Sequence, residues 1–187
     1  MEKLKFLACF LALLLMTGCR GDHPELERAM DLRAELLVSS VSFDAKITAD
    51  YGDEMQTFAV YCEGDSEGNL GFRVTAPASI SDITGRISSG EGKLTFRDTA
   101  LAFPLLAEDQ LSPVSAPWVF HNTLRSGYLT AAGMEGETLR LTIDDSFEED
   151  ALTLDIWLDE KNTPVRAEIL FDGRRILTLE IENFTIV

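Results

Sequence analysis

Apolar and polar residues alternate without a break from Val41 to Tyr51. Val41, Phe43, Ala45, Ile47, Ala49 and Tyr51 are separated by Ser42, Asp44, Lys46, Thr48 and Asp50. Successive side chains of a strand point to opposite faces, so this segment predicts a strand with one buried and one wet face. The same period of two returns along the chain. Phe58, Val60 and Cys62 share a face in Gln56 to Cys62, and Leu70, Phe72 and Val74 alternate next. Later come Leu139, Leu141 and Ile143, then Leu152 to Leu158, then Val165, Ala167, Ile169 and Phe171, then Leu177, Leu179 and Ile181. Shorter segments around Ile83–Ile87, Leu94–Phe96 and Leu101–Phe103 bring the total to about nine strands in antiparallel order. Turns are marked at Gly52-Asp53-Glu54, Gly64–Asn69, Ser88–Gly92, Ser146–Asp150 and Lys161–Pro164. Asp172-Gly173 is the strongest hairpin signal, because a type I′ turn needs positive φ at both positions. The apolar phase slips to Phe184 and Ile186 near the end, which predicts a bulge or the end of the strand.

Two stretches carry a helical period. From Glu25 to about Val38, Leu26, Ala29, Met30, Leu36 and Leu37 form an apolar side, with Asp22 as N-cap and Pro24 in the first turn. From Pro117 to Thr130, Phe120, Leu124 and Tyr128 are spaced by four and share a face, with Trp118 near the start. Leu105 to Ala116 reads as a loop. So much one-faced sheet must cover its apolar side. The expected fold is mainly β (α+β): an unclosed antiparallel β-barrel with an N-terminal helix and an inserted helix as lid. A flat sheet under two helices is the other arrangement considered.

The N-terminus sets the address. Lys3 and Lys5 precede an apolar run from Phe6 to Met16 and the small residues Thr17-Gly18. That order is a secretory signal peptide, and the run is shorter than the ~20 residues a membrane span needs. Leu15-Met16-Thr17-Gly18-Cys19 resembles a bacterial lipobox, which implies cleavage before Cys19 and acylation of its thiol. The chain therefore divides into residues 1–18 (signal peptide), 19–23 (lipidated tether) and 24–187 (folded domain). Arg20 to His23 reach only about 17 Å from Cys19, so the domain rides close to the bilayer.

The formal charge is −16. That excludes a basic nucleic-acid footprint and disfavours adhesion to anionic headgroups. Once Cys9 leaves with the signal peptide and Cys19 is acylated, only Cys62 remains and no intrachain disulfide is available. Cys62 is in phase with Phe58 and Val60, which makes it a buried small hydrophobe rather than a nucleophile.

Little in the sequence carries catalysis. Of two histidines, His23 lies in the tether and His121 falls off the Phe120–Tyr128 stripe, where a surface position is expected. No HExxH, CxxC or GxSxG occurs, so neither a metal nor a nucleophile elbow is supported. Ser88 to Leu94 lacks the leading glycine and the Ser/Thr after Lys93 that a phosphate loop requires. Asp144-Asp145 and Glu148-Glu149-Asp150 flank a turn without EF-hand spacing and read as a solvated hairpin tip. No cofactor is expected. Trp157 points away from Leu154, Ile156 and Leu158, so it is either covered from outside or presented to a partner.

The run from Leu154 through Asp159, Thr163 and Pro164 to Asp172-Gly173, followed by Ile181-Glu182-Asn183-Phe184, resembles the outer-membrane lipoprotein-sorting family (LolA/LolB/LppX-like). It is also similar to the clostridial spore germination lipoproteins. The resemblance covers the layout of the whole mature chain. It implies an apolar cavity under a helical lid that holds acyl chains or lipids without catalysis. The second branch implies binding of a cell-wall amidase by the same fold. Two differences from the LolA carrier stand out: this chain carries its own lipobox, and Gln56 to Cys62 lacks the carrier's arginine. The expectation is a membrane-anchored lipoprotein on the extracytoplasmic face, with Phe43, Ile47, Phe58, Phe72, Trp118 and Leu154 lining a lipid cavity. The alternative is a tethered module that positions a cell-envelope or spore-cortex enzyme, with Trp157 on its partner surface.

Overall fold

A computed structural model describes residues 23–187 except 51, 53, 54, 82, 89, 90, 97, 98, 105, 108 and 109. The expected signal peptide and tether, with Cys9, Cys19 and Asp22, lie outside the described residues, as do Tyr51, Asp53, Glu54, Ser89 and Gly90.

Helix α1 (Pro24–Leu36) opens with Pro24 in its first turn, Glu25 and Glu27 near its positive end and Arg33 near its negative end. The N-cap position is His23, which makes no side-chain capping bond. The buried side is Ala29, Leu32 and Leu36. The expected apolar side is corrected accordingly: Leu26, Met30 and Leu37 are exposed.

The strands are β1 (Val41–Asp50), β2 (Met55–Gly64), β3 (Leu70–Ala76), β4 (Thr84–Ser88), β5 (Glu91–Phe96) and β6 (Thr99–Pro104). A small hairpin follows, β7 (Leu106–Ala107) with β8 (Gln110–Leu111), and then a short 3₁₀ turn over Pro113–Ser115. The stretch expected as a plain loop is thus partly structured. Helix α2 (Ala116–Ser126) leads into β9 (Tyr128–Glu135), β10 (Thr138–Asp144), β11 (Leu152–Leu158), β12 (Pro164–Phe171) and β13 (Arg174–Ile186).

One antiparallel sheet of eleven strands, ordered β6-β5-β4-β3-β2-β1-β13-β12-β11-β10-β9, replaces the expected nine. Its edges β6 and β9 do not meet, so the barrel is unclosed. The register lines up the alternating residues into apolar rows. Phe43, Cys62, Phe72, Gly85 and Leu94 stand opposite one another on β1 to β5. A second row runs Phe58, Ile47, Leu179, Ala167, Ile156, Leu141 and Ala132, from β2 through β1 and β13 to β9. On this apolar face α2 packs against β2, β3 and β10 to β13, while α1 packs against β9 and α2.

Local chemistry explains the boundaries. Helix α2 ends four residues earlier than expected because Gly127 adopts an extended conformation. A Cβ there would lie 2.8 Å from the Asp144 carbonyl oxygen, so only glycine fits. Tyr128 consequently leaves the Phe120–Leu124 stripe and is exposed on β9. Asp172 and Gly173 have φ of 49° and 71°, the signature of the expected type I′ hairpin. The register slips between Ser42 and Asp44 against β13, where Asn183 has φ 53°, which is the bulge expected from the Phe184 phase shift. A second slip pairs Leu158 with Pro164. Val165 becomes the extra residue and is exposed, correcting its expected inward place.

Candidate functional site

The centre of the concave face is closed by aromatic packing. Phe120 of α2 meets Phe43 edge to face at 5.5 Å and Phe184 at 6.4 Å, and Phe43 stacks on Phe184 at 5.8 Å. Phe43, Ile47 and Leu154 have no exposed surface, and Phe72 has 5%. The Phe72 ring fills the space over Gly85, where a Cβ would fall 2.2 Å from its Cζ. Phe58 and Trp118 are half-buried at the margin of this layer, as are Leu94 and Val114. The residues expected to line a cavity lie in one apolar cluster, with Phe43, Ile47, Phe72 and Leu154 buried inside it and Phe58 and Trp118 half-buried against it.

Helix α2 is seated on the β2–β3 turn by polar contacts. Trp118 Nε1 donates to the Gly68 carbonyl at 2.9 Å, and His121 Nε2 donates to the Asp65 carbonyl at 3.3 Å. Gly64 and Gly68 permit the approach: a Cβ on Gly64 would lie 2.8 Å from His121 Nε2, and one on Gly68 3.0 Å from Arg125 Nη2. The turn itself is wound around Asp65, whose Oδ1 accepts the amides of Glu67 and Asn69. The expected surface position of His121 is corrected, since it is 1% exposed. Burial holds its pKa below the ordinary value, the Asp65 carbonyl opposes this, and the Arg125 charge adds to it. Helical spacing missed His121 because what covers it is the β2–β3 turn, distant in sequence.

The outer face carries a separate polar layer. Trp157 lies between two guanidinium groups, Arg140 at 5.4 Å and Arg166 at 4.9 Å from its ring centre. Its cover is a pair of arginines rather than a loop. Arg140 Nη2 donates to Asp155 Oδ2 at 2.6 Å, and Thr142 Oγ1 donates to Asp155 Oδ1 at 2.7 Å. Asp155, assigned to the wet face by alternation, is 5% exposed beneath these partners. Arg166 and Arg175 both pair with Glu168. Cys62 is fully buried, and burial raises its thiol pKa well above the usual value.

At the β10–β11 turn, Asp144 Oδ1 accepts from Thr153 and Asp145 Oδ1 accepts the Leu152 amide. These carboxylates build the hairpin, and among the described residues no group of three His, Cys, Asp or Glu is placed to hold a metal ion. A cleft of about 540 Å³ at the end of β1 to β4 has a mixed lining, with Val41 and Val187 beside Tyr61, Glu63, Asp65 and Arg86. No described helix is long and apolar enough to cross a membrane.

No family model matches the chain, and no curated protein matches it. Among solved structures it is similar to a LolA superfamily protein from Nitrosomonas europaea, at 6% identity over 86% of this chain and 92% of that chain, TM-score 0.45. It is similar to lipoprotein LppX from Mycobacterium tuberculosis, at 14% identity over 86% of this chain and 93% of that chain, TM-score 0.41. A third is a chain of the Pseudomonas aeruginosa MucA/MucB complex, at 14% identity over 87% of this chain and 56% of that chain, TM-score 0.40.

Proposed function

We propose that this chain is an extracytoplasmic lipoprotein, anchored through an acylated Cys19 after removal of residues 1–18, whose half-barrel binds a lipid acyl chain without catalysing a reaction. The observation that carries this reading is the concave face. Two apolar rows cross it, from Phe43 to Leu94 and from Phe58 to Ala132, and no polar side chain interrupts either. Helix α2 covers the middle, and the half-buried Phe58, Leu94, Val114 and Trp118 border it. An acyl chain would enter along that border and reach Phe43, Ile47, Phe72 and Leu154 as α2 moves off them. Residues 20–187, which contain the whole described core, are purified and tested by native mass spectrometry and with a fluorescent fatty acid. A mass matching bound lipid, or saturable uptake of the probe, is expected. Absence of both sinks the reading.

A second reading is favoured by one observation: Phe120 occupies the centre of the concave face between Phe43 and Phe184, where a lipid would otherwise lie. On this reading the domain is a tethered module that positions an envelope enzyme, with the Trp157 layer as the contact surface. Pull-down from envelope extracts with wild type and Trp157→Ala tests it. Equal recovery of the same partners removes Trp157 from the surface.

A further inference from the structure

Helix α1 has three sides, and the fold uses one of them. Ala29, Leu32 and Leu36 are buried against the domain. Glu27, Asp31 and Glu35, each four residues apart, are exposed on a second side. The third side holds Leu26, Met30, Ala34 and Leu37, spaced four, four and three, all exposed. Leu26, Met30 and Leu37 are 44%, 51% and 49% exposed, and Val38 beyond the last turn is 79% exposed. The helix is not free to roll this stripe inward. Arg28 Nε donates to Asn162 Oδ1 at 2.7 Å and Arg28 Nη2 to the Asp159 carbonyl at 3.0 Å, while Arg33 donates to the Gly127 carbonyl.

We infer that the Leu26–Met30–Ala34–Leu37 stripe rests on the lipid surface, so that α1 lies along the membrane and fixes the orientation of the half-barrel above it. The inference rests on the proposed anchoring through Cys19. What identifies the occupant is the chain that leads to the helix. Arg20 to His23 span at most about 17 Å from Cys19, so the stripe is held at the surface into which the lipid is inserted. The helix is about 20 Å long, and a helix lying in the interface buries its apolar side to about 5–10 Å. The acidic side, Glu27, Asp31 and Glu35, then faces water beside the membrane. The net charge of −16 and the acids beside the stripe oppose a second copy and anionic headgroups alike, so the contact is made by apolar burial and by the tether rather than by charge.

The test uses the full chain in its own membrane, with single cysteines at Met30→Cys or Glu35→Cys and a membrane-impermeant maleimide. Cys62 is fully buried and does not compete. In the anchored chain, Met30→Cys is expected to react roughly tenfold more slowly than Glu35→Cys, because the interface shields it. With Cys19→Ser added, the chain is expected in the soluble fraction and the two positions react at equal rates. Equal rates in the anchored chain overturn the inference and leave the anchor intact. A Cys19→Ser chain that stays with the membrane overturns the anchor and the inference with it. Slow labelling that persists in the released chain assigns the stripe to a protein partner or a second copy, and overturns a membrane contact.

Discussion

Phe120→Ala tests whether the aromatic knot beneath α2 holds the half-barrel together. Phe120 has no exposed surface and touches Phe43 and Phe184 with ring centres at 5.5 and 6.4 Å. Truncating a fully buried Phe costs about 3–5 kcal/mol, made up of lost transfer energy and the cavity left behind. Domains of ordinary stability, about 5–15 kcal/mol, survive such a loss in the folded state. At about 2–4 °C per kcal/mol for a chain of this size, Tm should fall by roughly 10 °C. The edge-to-face contact adds a pairwise component. Phe43→Ala and Phe120→Ala combined should cost about 1 kcal/mol less than the sum of the single changes. Urea unfolding followed by circular dichroism, with equal m-values across the four proteins, measures both quantities. A loss below about 1 kcal/mol for Phe120→Ala, or strict additivity with Phe43→Ala, would show that the rings are neighbours without being a packed unit. The same variant separates the two functional readings. Enlarging the space under α2 should raise acyl-probe uptake if the concave face binds lipid, and should leave partner recovery unchanged.

Four further outcomes are expected. His121 has a folded pKa below its usual value of about 6.5, so the unfolded chain takes up the proton first as pH falls; stability is lost from about pH 6.5 down to the folded pKa. Unfolding in urea between pH 5 and 7.5 should show this slope in wild type and a flatter one in His121→Gln. Gly64→Ala drives a methyl to 2.8 Å from His121 Nε2 and should destabilise by about 1–3 kcal/mol; calorimetry should show partial recovery when His121→Ala is added. Asp155→Ala leaves Arg140 and Thr142 without their shared acceptor and should cost about 1–3 kcal/mol, with a shift in Trp157 fluorescence as the Arg140 clamp loosens. Cys62, buried and with a raised thiol pKa, should resist thiol reagents at pH 8 in the folded protein and react fully in urea.

The strands were legible because alternation is local: Phe43, Ile47 and Leu154 announce their burial by period alone, and Asp172-Gly173 announces its turn. Strand β9 was invisible, since Thr130, Ala131 and Gly133 sit on an exposed edge and carry no alternating pattern. The face of α1 was misread for a related reason. That helix has two apolar sides, and nothing in its own residues says which one meets the sheet. His121 and Asp155 were misplaced because what buries them comes from elsewhere in the chain, the 65–69 turn in one case and Arg140 with Thr142 in the other. The burial of Phe43, Ile47, Phe72 and Leu154 could be listed from periodicity. The knot of Phe43, Phe120 and Phe184 could not, because it joins three elements through a bulge.

The seam between β1 and β13 also has a consequence in time. The strands β1 to β6 form one meander and β9 to β13 another, and the sheet becomes continuous only where Ala49 faces Leu177 and Val41 faces Ile186. Those partners are separated by roughly 130 residues or more, and closing so long a loop is slow compared with forming the hairpins on either side. Until β13 is available, β1 therefore has one edge unpaired, and the first meander is an open template on which a second half-made sheet can pair.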